Sequence, residues 1–303
     1  MEVVKDISLM NDQTPASIIT QMELAGGFSG REFADGTRIL RLMLKGKYSR
    51  ILSFPADIIA TGLRGVIRQL LMENKFNLVI TTCGALDHDI ARTFGKYYKG
   101  EFNLDDIELK EKGYHRLGNV LVPAKFYGQL IEEKMQRILD KYDDTSISTY
   151  ELAWAIGKYL NNTNSFLYWA YKNNIPVIIP GITDGAVGSQ LWMYQQSHRK
   201  FMIDQLKDET AMSDFIFSSK SLGALMIGGG ISKHHTIWWS QFKDGLDLAV
   251  YITTAYEYDG SLSGALTREA ISWNKIKENA KHVTIHADAT TVLPFMIHAA
   301  LFG

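Results

Sequence analysis

The chain has 303 residues, 46% of them hydrophobic and 21% charged, enough for a large core without disulfide or metal staples. Its 32 Lys and Arg nearly cancel 33 Asp and Glu, leaving a formal net charge of -1, so the broad basic surface that holds nucleic acid is not expected. The single cysteine, Cys83, excludes an intrachain disulfide framework and a multi-thiolate zinc site, and it suits a cytoplasmic protein.

The opening residues carry acid and no apolar core of signal-peptide length, so secretion is not expected. An N-terminal arm of about residues 1–30 precedes the first regular signals. Residues 50–54 are the first of six short apolar runs without polar alternation. Residues 57–74 follow with a helical period that sets Ile59, Leu63, Val66, Ile67, Leu70 and Leu71 on one face. The second run is 78–82. Residues 123–174 show no strand signal but two helical patterns, 129–142 and 149–171, and read as a helical insertion; Asn161-Asn162-Thr163-Asn164 can break the second pattern. Runs at 176–180, 224–227, 248–253 and 283–286 complete the set. The apolar stretch 289–303 is shorter than the ~20 residues of a membrane span and contains Pro294 and His298, so no membrane crossing is expected.

Short apolar runs separated by helical stretches predict an α/β fold: an open, mostly parallel Rossmann-like sheet flanked by helices, with a helical insertion. No repeat or flexible linker interrupts the chain, and its six prolines do not cluster, so residues 1–303 read as one domain.

Ligands of such sheets collect beyond the carboxyl ends of the strands. There the sequence becomes polar and glycine-rich: Cys83-Gly84-Ala85-Leu86-Asp87-His88-Asp89, Gly181-Ile182-Thr183-Asp184-Gly185, Gly228-Gly229-Gly230, Thr254-Ala255-Tyr256-Glu257-Tyr258-Asp259-Gly260 and Ala287-Asp288-Ala289. Three glycines let a backbone approach a bulky ligand, and a following helix aims free N–H groups at a pyrophosphate. The same glycines also make a tight strand-to-helix turn, and neither standard nucleotide-loop motif is present. Asp87-His88-Asp89 are too close in sequence to converge on one ion, so no metal site is expected there and the three read as polar loop residues. His234 and His235 lie about 100° apart on a helix, so at most one faces a site, where an imidazole suits proton transfer. Lys275 either solvates a helix face or, beside an aromatic surface such as Trp273, serves as a nucleophile.

The strings GGGISKHH (228–235), TTAYEYDGSLSGA (253–265), EAISWNKI (269–276) and HADAT (286–290), with TTCGALDHDIAR and ITDGAVGSQLW upstream, resemble the deoxyhypusine synthase family, especially its archaeal branch. The resemblance runs from about residue 50 to the C-terminus. It implies an NAD-dependent transferase in which spermidine is oxidised, its aminobutyl group is captured as an imine by an enzyme lysine, and the group passes to one lysine of the translation initiation factor 5A precursor, forming deoxyhypusine. By resemblance, Lys275 forms the imine and His234 moves the proton. Glu269, Trp273, Asp87, His88 and Gly260 bind the amine. Asp57, Thr82, Cys83, Gly84, Asp184, Gly229, Thr254, Ala255, Asp288 and Ala289 hold NAD.

The family also implies a cytoplasmic homotetramer. Compared with eukaryotic members, His88, Ser189 and Leu262 stand at acidic positions, and Trp238 and Asp57 at asparagines. Two alternatives stay open: a homospermidine synthase-like transfer to a free amine such as putrescine, and a non-catalytic NAD-binding regulatory protein. Retention of Lys275, His234 and Glu269 together argues against the second.

Overall fold

The computed structural model describes residues 3–143 and 145–303. All six apolar runs are strands: β1 Ser49–Ser53, β2 Leu78–Ile80, β3 Val177–Ile178, β4 Leu222–Ile227, β5 Leu246–Thr253 and β6 Ile276–His286. They form one open sheet in the order β6-β5-β4-β1-β2-β3. Parallel registers such as Ile51 with Leu78, Leu52 with Leu225, and Val250 with both Leu225 and Val283 fix the pairing. Every residue of β4 is buried, which is why the strand shows no polar alternation. The chain builds outward from β1 on one side and from β4 on the other. The topological switch, where doubly wound sheets bind dinucleotides, therefore lies between β1 and β4.

The chain divides into two compact units. The first takes the chain up to Phe54, Lys75–Ile80 and Met212–Gly303. Within it, the stretch read as an N-terminal arm holds a helix, Pro15–Ala25, and the start of another, Phe28–Lys45; residues 1 and 2 of the arm lie outside the described residues. Thr14 caps the first helix by accepting from Ser17 N, and Gly26 ends it at φ 67°. Ile19 packs with Ala34 and Ala299. The second helix lies close against β6: a Cβ on Gly36 would fall 2.5 Å from Ile285 Cδ1.

The second unit takes Pro55–Asn74 and Thr81–Ala211. The single helix expected over 57–74 is two, Asp57–Ala60 and Arg64–Met72, because the Thr61 hydroxyl accepts from Leu63 N and substitutes for the helical ladder. The insertion contains Ala124–Leu139, Thr149–Leu160 and Phe166–Lys172. The asparagine run breaks the second pattern as expected, with Asn161 left-handed at φ 42° and Ser165 capping the next helix. Periodicity missed an antiparallel sheet of Tyr98–Lys99, Tyr114–Leu117 and Val120–Pro123. It also missed Ser146–Ile147, which pairs with Met202–Ile203 inside a region expected to lack strands. Strands of two to four residues are too short to express a period of two.

Candidate active site

Lys275 precedes β6 directly, rather than riding on a helix face. Its backbone is pinned on both sides: Lys275 N donates to Ala270 O at 3.0 Å, and Leu246 N donates to Lys275 O at 3.1 Å. The turn Thr267–Ile271 and left-handed Asn274, φ 54°, then direct the side chain into a cavity of about 290 Å³. There Lys275 is 7% exposed. Its Nζ lies 5.2 Å from the Trp273 ring centre and 5.6 Å from that of Trp238. The aromatic surface expected from Trp273 is present, and a second indole faces it that periodicity did not identify.

His234 lines the same cavity. Its helix, Ile231–Ser240, starts after Gly230 at φ 75°, and His234 sits one turn before Trp238, with ring centres 5.7 Å apart. Burial, and next the charge of Lys275, hold this imidazole below its ordinary range, which favours the neutral form that can accept a proton. Glu269 and Leu262 complete the wall.

Lys233 is a pocket residue that sequence reasoning missed, because nothing in the string distinguishes it from a surface lysine. It is fully buried, donates to Leu262 O at 2.8 Å and Ala265 O at 2.9 Å, and sits 3.9 Å over the Tyr251 ring. Burial pushes it down to about 8, opposed by the charge of Glu269. The Tyr251 hydroxyl, buried at the same cavity, has no hydrogen-bond partner among the described residues.

The strand ends of the first unit carry Gly229, Thr254, Ala255, Asp288 and Ala289. Gly228 and Gly230 have φ of 68° and 75°, so the run is a strand-to-helix turn that needs glycine. What closes on Gly229 is protein: the side chain and Cα of Ser263. The Thr253 hydroxyl donates to Ser263 O at 2.9 Å and accepts from Ala255 N at 3.1 Å. Asp288 caps the last helix, Ala289–Phe302, through Thr290 N. Gly260 closes the turn Glu257–Asp259 at φ 71°. The reversal of strand order between β1 and β4, the small residues after β4 and β5, and helices starting at Ile231 and Ala289 fit a dinucleotide.

In the second unit, Asp87, His88 and Asp89 are not loop residues. They lie on the helix Cys83–Phe94 and all three are buried. Asp87 accepts from Ala186 N at 2.9 Å, Val187 N at 2.8 Å and the Tyr127 hydroxyl at 2.9 Å, which anchors the start of Ala186–Ser197. Asp89 accepts from Arg64 Nε and Ser165 Oγ, both at 2.6 Å. His88 Nδ1 is 2.9 Å from the Tyr97 hydroxyl, and burial, then Arg92, push its imidazole down to about 4.

Thr82 Oγ1 accepts from Ala56 N at 3.1 Å, while Asp57, Asp184 and Ser189 are exposed. Cys83 is buried, and burial followed by the charge of Asp87 pushes its thiol up to about 12. A Cβ on Gly84 would meet the Ala56 side chain at 2.8 Å. The structure thus gathers Lys275, His234, Glu269 and Trp273 around one cavity of the first unit, while Asp87 and His88 belong to the second. No group of three or more His, Cys, Asp or Glu is placed to hold a metal among the described residues.

Comparison with known proteins places the chain in a family. The deoxyhypusine synthase family pattern matches residues 17–300. A Picrophilus torridus protein named probable deoxyhypusine synthase is 53% identical over 298 residues, covering 98% of this chain and 96% of the relative. A Thermoplasma volcanium protein of the same name is 51% identical over 296 residues, covering 97% and 96%. Among solved structures, one from Entamoeba histolytica, also named for deoxyhypusine synthase, superimposes with a TM-score of 0.66 at 22% identity, covering 95% of this chain and 93% of that one.

Proposed function

Because this chain belongs to the deoxyhypusine synthase family, a family of transferases, we propose that it moves the aminobutyl group of spermidine, through an imine on Lys275, to a lysine of the translation initiation factor 5A precursor. The observation that carries this reading is Lys275 itself: a lysine 7% exposed, its Nζ between two indole faces, with a histidine and a carboxylate on the same cavity wall. Low exposure shelters this amine from bulk water, and the two indole faces fix where its Nζ stands.

NAD is the fitting cofactor, and in the first unit Gly229, Thr254, Ala255, Asp288 and Ala289 are the contacts we assign to it. A bound NAD supplies hydride acceptance from the donor amine and hydride return at the end. His234, held neutral, takes the proton released as the donor's C–N bond becomes an imine. Lys275 Nζ then attacks that carbon, a new C–N bond forms, and the diaminopropane portion of spermidine leaves as an amine. The acceptor lysine repeats the exchange and frees Lys275. Glu269 pairs with an ammonium of the donor, and Trp238 and Trp273 keep water from the imine.

Among the described residues no helix is long and apolar enough to cross a membrane, and the cytoplasm is the compartment we assign. A homotetramer is the assembly we assign. An apolar cavity lined by Ile18, Ile19, Met22, Phe33 and Phe295, with Phe295 54% exposed, supports a subunit contact there.

The test incubates the protein with NAD and labelled spermidine, then adds borohydride. Label on Lys275, and its passage to the precursor lysine when borohydride is withheld, is the expected result. Label passing only to a free amine, or none on Lys275, would sink the proposal. Lys275→Arg should trap nothing, since a guanidinium does not readily give up its proton.

A further inference from the structure

The cavity around Lys275 holds one carboxylate, Glu269, and two lysines, Lys233 and Lys275. The lysines are not equivalent. The ammonium of Lys233 has two carbonyl acceptors and a ring face, so its charge is matched where it stands. Lys275 Nζ makes no hydrogen bond or ion pair among the described residues; its polar end meets only the faces of Trp238 and Trp273. Those two faces form a slot for one cation, which Lys275 itself fills when protonated. An incoming polyamine adds a further positive charge beside the same lone carboxylate, and like charges so close in a half-dry cavity oppose binding.

We infer that the donor's ammonium takes the place of the Lys275 ammonium in the Trp238–Trp273 slot, so that donor binding expels a proton from Lys275 and delivers the nucleophile as a free amine. The proton passes to solvent, one cation leaves the slot as another enters, and the net charge of the cavity is unchanged. This rests on the reading of Lys275 as nucleophile and makes Trp238 a residue that selects and positions a cationic donor. The other charged or titratable groups facing Lys275 are His234 and Lys233 on the helix Ile231–Ser240, Tyr251 on β5 and Glu269 on the preceding turn. Asp247 and Lys277, where β5 and β6 begin, pair with each other at 2.8 Å.

Calorimetric titration of the full chain with spermidine, in buffers of different ionisation enthalpy at one pH near neutrality, counts the protons released. About one proton per spermidine is expected from the parent, and none from Lys275→Met, which should bind spermidine at least as tightly. Trp238→Asn should weaken spermidine binding about threefold to fivefold, the size of a half-exposed cation–π contact, with Trp238→Phe recovering most of the loss. Proton release that persists in Lys275→Met, or that is absent from the parent, overturns the inference. So does unchanged affinity in Trp238→Asn. If borohydride labels Lys275 but no proton is released, the inference alone fails; if spermidine neither binds nor labels Lys275, the functional reading fails with it.

Discussion

Gly229 and Ser263 are in such close contact that a Cβ built on the glycine would fall 2.1 Å from the serine Oγ and 2.2 Å from its Cα. The loop bearing Ser263 also presents Leu262 and Ala265 carbonyls to Lys233, so this contact sets the wall of the Lys275 cavity. Gly229→Ala should push the loop outward, because rotating the Ser263 hydroxyl away still leaves its Cα in the path. The expected outcome is a folded protein with transfer reduced by tenfold or more. Full activity in this variant would show that the loop has slack.

His234→Ala should lower transfer by ~10² or more, the usual contribution of a positioned base, while NAD binding changes far less. The parent's imidazole is held below its ordinary range by burial and by Lys275. Its neutral form therefore persists below pH 6.5, and the acid limb of kcat/KM should lie under that value and vanish in the variant. A crippled His235→Ala beside a near-normal His234→Ala would assign the role to the other histidine.

Glu269 is the one carboxylate on the cavity wall. Glu269→Gln should therefore raise the KM for spermidine at least tenfold and leave the dissociation constant of NAD within about twofold. Equal effects on both ligands in steady-state and fluorescence titrations would mean that Glu269 shapes the fold rather than the amine site.

Asp87→Asn should show itself in stability. Both oxygens of Asp87 are taken, and they anchor the first amides of Ala186–Ser197. An amide can keep only one oxygen there and turns a donor toward the other site, at a cost of about 1–3 kcal/mol. Denaturant unfolding should show this loss. Unchanged unfolding together with a raised spermidine KM would return Asp87 to the amine-binding role that the family resemblance implies.

His88 makes the fold sensitive to acid. The unfolded chain takes up a proton near pH 6.5, whereas the folded chain resists until about 4, so stability falls as pH drops through that window. The loss is at most about 3 kcal/mol for a shift of this size. Asp208, pushed up to about 6 by burial, titrates in the opposite sense: the folded chain binds its proton first, so its contribution grows as pH falls from 6. Comparing the parent with His88→Gln cancels Asp208. The parent should lose more stability than the variant between pH 7 and 4, and parallel curves would remove His88 as the cause.

The inner strands were legible in the sequence because a strand covered on both faces is apolar along its length, as β4 is, whereas the edge strand β6 is partly exposed and only its last four residues, 283–286, stood out. The asparagine break at 161 was legible for the same local reason, since Asn tolerates the left-handed conformation that ends a helix. The resemblance named Lys275, His234, Glu269 and Trp273, and these four do line one cavity. Only the tertiary structure decided what surrounds them. Lys233 reads as any lysine until Leu262 and Ala265 fold over it, and Trp238 becomes the partner of Trp273 only because a helix from one strand end meets a turn before another. Asp87 and His88 read as loop residues because their short polar run masks a helix enclosed on all sides. Local propensity and covering are properties of a segment, whereas burial of a charge, the choice of its partner and the shape of a cavity depend on residues distant in sequence.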